Sequence, residues 1–217
     1  MKKYCLDMLK ADIEEWVLCG GLLLHATVDE SDGFEEIEDE IEAWVRSGGV
    51  LLHEAIQESS KLPVGEIIAM VDLLLKQGVD VDVRNENEAT PLHVAARYDN
   101  LVLVVHLVAK GADLEAENKH KATPLHNASR EGSREVVSYL IHAGSDIDAM
   151  TEDEDTPLHQ AVRKNKVDNV KALILAGANL KIKNSTGYYA KKLKCEKGTK
   201  DAYNAAVFEK ESKESVD

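Results

Sequence analysis

The chain has 217 residues, 44% hydrophobic and 5% aromatic, with a net charge of −14. No apolar run approaches the roughly 18–20 residues of a membrane span, and Asp7, Asp12, Glu14 and Glu15 interrupt any apolar leader segment. The acidic balance disfavours nucleic acid as the main partner, and three cysteines (Cys5, Cys19, Cys195) without metal-ligand spacing are expected to be reduced thiols in a cytoplasmic setting.

Residues 3–18 are predicted to form a helix, because Leu6, Leu9, Ile13, Trp16 and Val17 recur at i+3 and i+4. Gly20-Gly21 ends it. A duplication follows. The stretch from Trp16 to Gly20-Gly21 and Leu23-Leu24-His25 is echoed by Trp44 to Gly48-Gly49 and Leu51-Leu52-His53, offset by 28 residues. Short helices are predicted over 22–29 and 34–46. The second carries Glu35, Glu36, Glu38, Asp39, Glu40 and Glu42 opposite a stripe of Phe34, Ile37, Ile41 and Trp44. Residues 51–59 open the next unit, an enlarged turn spans 59–65, and 67–77 is an apolar helix stopped by Gly78.

From there one tetrapeptide sets the register. Thr-Pro-Leu-His begins at Thr90, Thr123 and Thr156, so both intervals are 33 residues. A fixed period of this length marks stacked units. Proline suits the first helical position, where its missing N–H would be unpaired anyway, and the threonine is placed to cap. Nine residues on stand Asp99, Gly132 and Asn165, types that tolerate a left-handed turn. Second helices are predicted over 101–110, 134–143 and 167–176, each stopped by a glycine: Gly111, Gly144 and Gly177. Short extended connectors follow, with one buried aliphatic each (Leu114, Ile147, Leu180).

The tetrapeptide, the helix pair, the Gly-Ala-Asp-type stop and the extended finger at period 33 together resemble the ankyrin repeat. The resemblance is strong over 79–188 and degraded over 22–78. It implies an all-α ankyrin-repeat solenoid of stacked helix-turn-helix units with short β-hairpin-like fingers, in one domain over 1–209. Its parts would be a cap helix (1–21), divergent repeats (22–49, 50–89), regular repeats (90–122, 123–155, 156–188) and a capping repeat (189–209), then a flexible tail (210–217). The family usually has glycine two residues before the Thr. Here Glu88, Lys121 and Glu154 stand there, and only Gly187 keeps the pattern, so strained backbone is expected.

Five histidines (His25, His53, His93, His126, His159) share one position of the unit. Stacked helices lie roughly 8–10 Å apart and zinc ligands about 2 Å from their ion, so successive copies cannot share a metal. The resemblance implies that they tie adjacent loops together. No Gly-x-Ser-x-Gly, Cys-x-x-Cys, His-Glu-x-x-His or phosphate-binding glycine loop is present. No enzyme activity, cofactor or metal is expected.

The resemblance instead implies protein binding through the finger tips and the exposed ends of the first helices. The candidate tip residues are Glu86 and Asn87, Lys119 and His120, and Glu152, Asp153 and Asp155, with Ala89 and Ala122 beside them. The helix ends give Arg97 and Tyr98, Arg130 and Glu131, and Arg163 and Lys164. This strip changes from unit to unit while the framework does not. Charge is also segregated: residues 1–60 hold 15 carboxylates and 4 cations, residues 161–200 hold 2 and 11. The expected function is a non-catalytic interaction module, monomeric alone. Two alternatives are an inhibitory or regulatory subunit of an enzyme acting through its acidic N-terminal third, and a secreted effector of an intracellular bacterium, placed in the host cytoplasm or nucleus.

Overall fold

The structure, a computed structural model, describes residues 48–57 and 64–214. The expectations for the cap helix, the helices over 22–29 and 34–46, most of the 22–49 repeat, the enlarged turn before residue 64 and the last three residues of the tail lie outside the described residues.

Helices come in pairs. The first pair is α1 (48–57) and α2 (Val64–Lys76). Then come α3 (Pro91–Arg97) with α4 (Leu101–Ala109), α5 (Pro124–Glu131) with α6 (Arg134–Ala143), and α7 (Pro157–Arg163) with α8 (Val167–Leu175). Where the tetrapeptide would recur again, Tyr189 replaces the threonine, and only a 3-10 turn forms at Ala190–Lys192. The chain ends in α9 (Lys197–Glu214), which continues five residues past 209, where the tail was expected to begin. First helices stack on first helices (α3 on α5 on α7), second helices on second helices, and α9 covers α8. Among the described residues there is no β-strand, only an isolated bridge between Lys183 and Tyr189. The fingers are therefore hydrogen-bonded turns.

The tetrapeptide is wholly internal. Leu92, Leu125 and Leu158 are enclosed between layers, each contributing roughly 1.5–3 kcal/mol by burial. Each Pro opens its helix behind an extended Thr. Each His, at the third helical position, accepts the N–H of its own Thr at Nδ1, at 3.2, 3.1 and 3.2 Å. That is the reciprocal half of a capping box, a place usually held by Glu or Gln. The other nitrogen crosses to the next unit: Nε2 of His93, His126 and His159 donates to the carbonyls of Ala122, Asp155 and Tyr188 at 2.8, 3.0 and 3.1 Å. The donor at Nε2 fixes the neutral tautomer, and burial lowers the pKa of His93 and His126 to about 4. In α1, Val50 stands where the threonine would be, and His53 Nδ1 bonds the Gly49 carbonyl at 2.8 Å instead.

The expected strain is present. Glu88, Lys121 and Glu154 have φ of 57°, 54° and 57°, and Gly187 has 79°. Each follows a tight turn, closed by the Glu88, Lys121 and Glu154 N–H bonding to Asn85, Asn118 and Thr151. Asn85 and Asn118 hold the turn from inside, each accepting two backbone N–H groups at its Oδ1. Asp99 and Asn165 are also left-handed, with φ of 60° and 57°. Gly132 corrects the sequence reading: its φ is −73° and ψ −178°, which is extended. Its reason is space. A Cβ there would come within 2.9 Å of the Ala96 and Ala128 carbonyl oxygens.

Two inter-unit ladders run alongside the helices. At the finger bases, Asp82, Glu115 and Asp148 accept the backbone N–H of Asp113, Asp146 and Asn179 in the following connector. Partial burial raises the pKa of Asp82 and Glu115. At the tips, the N–H of Lys119, Glu152 and Ser185 bonds the carbonyl of Asn87, His120 and Asp153 one unit earlier, at 3.1, 3.0 and 2.9 Å.

Candidate functional site: the concave groove

The fingers and first helices enclose two adjoining depressions. One, of about 300 Å³, is lined by Asn87, Arg97, Tyr98, Lys119, Asn127 and Arg130 among others. The next, of about 400 Å³, is lined by His120, Asn127, Arg130, Glu152, Gln160 and Arg163 among others. Arg130, Asn127 and His120 belong to both, so the two form one groove across three units.

Twelve of the thirteen nominated residues are exposed: Glu86, Asn87, Arg97, Tyr98, Lys119, His120, Arg130, Glu131, Glu152, Asp153, Arg163 and Lys164. All of these except Glu86 line the groove. Asp155 is the exception to exposure: its side chain is fully enclosed. It receives Arg163 Nη2 at 2.7 Å, Gln160 Nε2 at 3.1 Å and Asn184 Nδ2 at 2.9 Å. A carboxylate with three donors in a closed site anchors its neighbours and offers nothing to a partner. Ala89 is likewise buried.

The nominated residues also pair with one another. Lys119 Nζ bonds Asn87 Oδ1, and His120 Nδ1 lies 4.0 Å from Glu152. Glu131 sits between Arg130 Nε at 3.2 Å and Lys164 Nζ at 3.9 Å. The Arg97 guanidinium lies 6.0 Å from the centre of the Tyr98 ring. Tip and helix-end side chains thus lie against one another along the groove.

Sequence reasoning missed several lining residues, among them Asn127 and Gln160. These two directly follow the second and third tetrapeptides, and Asn127 Nδ2 donates to the His93 carbonyl at 3.2 Å. The signal was available, because the residue after each tetrapeptide changes (Val94, Asn127, Gln160) while the four before it do not.

Among the described residues, no group of three His, Cys, Asp or Glu side chains could hold a metal ion, and no helix is long and apolar enough to cross a membrane. Five cations line the groove (Arg97, Lys119, Arg130, Arg163, Lys164) against three carboxylates (Glu131, Glu152, Asp153). It is a positive trough in a chain of net charge −14.

Comparison with known families gives two matches. A family model described as ankyrin repeats (3 copies) matches residues 52–151, and one described as ankyrin repeats (many copies) matches residues 140–190. A search of curated proteins finds no match.

Proposed function

The chain belongs to the ankyrin-repeat family, and from that premise we propose that it is a non-catalytic interaction module whose concave groove holds a partner protein. Ankyrin repeats generally serve as protein–protein interaction modules. The observation that carries the reading for this chain is the contrast at each first helix. The Thr-Pro-Leu-His residues are buried in all three regular units. The position just after the recurring arginine (Arg97, Arg130, Arg163) is exposed and reads Tyr98, Glu131, Lys164. An aromatic, an acid and a base on one unvarying framework is the arrangement of a surface that discriminates between partners.

The test is an affinity capture with mass spectrometry, using the full chain, Tyr98→Ala and Arg130→Glu. A partner retained by the wild type and lost by both variants, with melting unchanged, supports the groove. Retention by both variants, with loss when Glu35, Glu36, Glu38 and Asp39 are replaced by their amides, would instead move binding to the acidic N-terminal third.

A further inference from the structure

We propose that the groove takes an acidic, extended segment of its partner, with a carboxylate side chain at every third residue, one for each of Arg97, Arg130 and Arg163. The proposal rests on the concave-groove reading above and names the chemistry that reading leaves open.

Three observations carry it. First, five cations line the groove against three carboxylates although the chain as a whole is acidic, which favours an acidic ligand there. Second, the three arginines are held in place by three different devices. Arg163 is tied through Nη2 to the enclosed Asp155, Arg130 through Nε to Glu131, and Arg97 lies against the Tyr98 ring. Arg130 keeps its two terminal nitrogens for a ligand, and Arg163 keeps Nη1 and Nε. A guanidinium fixed at one edge loses less freedom on binding and presents donors suited to a carboxylate. Third, Glu131, one of the groove's own acids, is partly neutralised between Arg130 and Lys164.

The spacing follows from the stack. The arginines repeat once per unit, on first helices that pack directly on one another, at roughly 8–10 Å per layer. A polyproline II segment turns once in three residues and rises about 3.1 Å per residue, so side chains three apart share a face about 9.3 Å apart. The two intervals agree. An α-helix would need carboxylates seven residues apart for about 10.5 Å, a distinguishable pattern.

The experiment titrates short labelled peptides onto the full chain by fluorescence anisotropy. One carries glutamate at every third position in a proline-rich background, one clusters the same glutamates, one is helical with glutamate at every seventh position, and one replaces the periodic glutamates by phosphoserine. The period-three glutamate peptide should bind at least about tenfold tighter than its clustered isomer, and Arg130→Gln should weaken it about tenfold. Arg130 is half exposed, and a circular-dichroism melt of R130Q checks that the stack is intact. Equal binding of the isomer, preference for the helical peptide, or preference for phosphoserine overturns the proposal. A random peptide display library, panned on the wild type and on R130Q, separates the two levels. Binders that depend on Arg130 but are not acidic leave the groove standing and remove the ligand class. A library with no Arg130-dependent binder removes both.

Discussion

The guanidinium of Arg163 lies 2.7 Å from the carboxylate of Asp155, and the two side chains live in different media: the acid is enclosed, the base 44% exposed. The equivalent arginines have no such partner, because the residue before the threonine is Ala89 or Ala122 in their units. Arg163→Met should therefore leave a buried carboxylate with only its neutral donors and cost about 2 kcal/mol. Arg97→Met and Arg130→Met should stay within about 0.5 kcal/mol. Urea unfolding of the three variants makes the comparison, and an equal cost in all three would remove Asp155 from its anchoring role.

A pH dependence follows from the bridging histidines. In the unfolded chain an imidazole takes its proton near about 6.5. Folded His93 and His126 take theirs only near about 4, because burial disfavours the cation. Their contribution is thus fully present above about pH 6.5 and is lost as the pH falls toward about 4, on the order of 3 kcal/mol for each ring. Urea midpoints measured between about pH 6.5 and pH 5 follow this slope. A flat profile there would show that the rings are protonated as readily when folded as when unfolded.

Two glycines should respond differently to the same substitutions. Gly144 has φ of 106° with nothing near its missing Cβ, so only backbone conformation opposes a side chain. Gly132 has ordinary φ but two carbonyl oxygens at 2.9 Å. At 144, asparagine should cost less than valine, since it tolerates the left-handed region. At 132, asparagine should gain no such advantage. Thermal melts of the four variants decide, and matching rank orders at both sites would contradict the distinction.

The strained finger residues offer a stabilising change. Lys121 holds φ of 54°, which costs an L-residue roughly 1–2 kcal/mol. Glycine relieves that and adds about 0.5–1 kcal/mol of unfolded-state entropy. Lys121→Gly should therefore raise stability by about 0.5–1 kcal/mol. A lowered denaturant midpoint would mean that the lysine side chain stabilises the finger more than its backbone strains it.

Much of this was legible in the sequence because one period indexes everything within a unit. Counting from Thr90, Thr123 and Thr156 locates the helix starts, the left-handed Glu88, Lys121 and Glu154, and the exposed arginines. What the count does not reveal is which groups meet across a layer. Glu115 and the N–H of Asp146 are 31 residues apart, and their contact exists only once two units are superposed. Gly132 misled for the same reason, since its neighbour Ala96 belongs to the previous unit. Asp155 was the legible miss. Alanine at the same place in the two units before it already signalled an enclosed position.

The histidine bridges also bear on how the chain is made. Each ring donates to a carbonyl 29 residues ahead of it, never behind. On a ribosome adding roughly 5–20 residues per second, His93 waits about 1.5–6 s before its acceptor is synthesised. During that interval the newest unit has a capped helix and no roof. A nascent chain that stalls between His126 and Asp155 therefore holds a ring whose acceptor does not yet exist, and each completed unit is finished by the arrival of its successor.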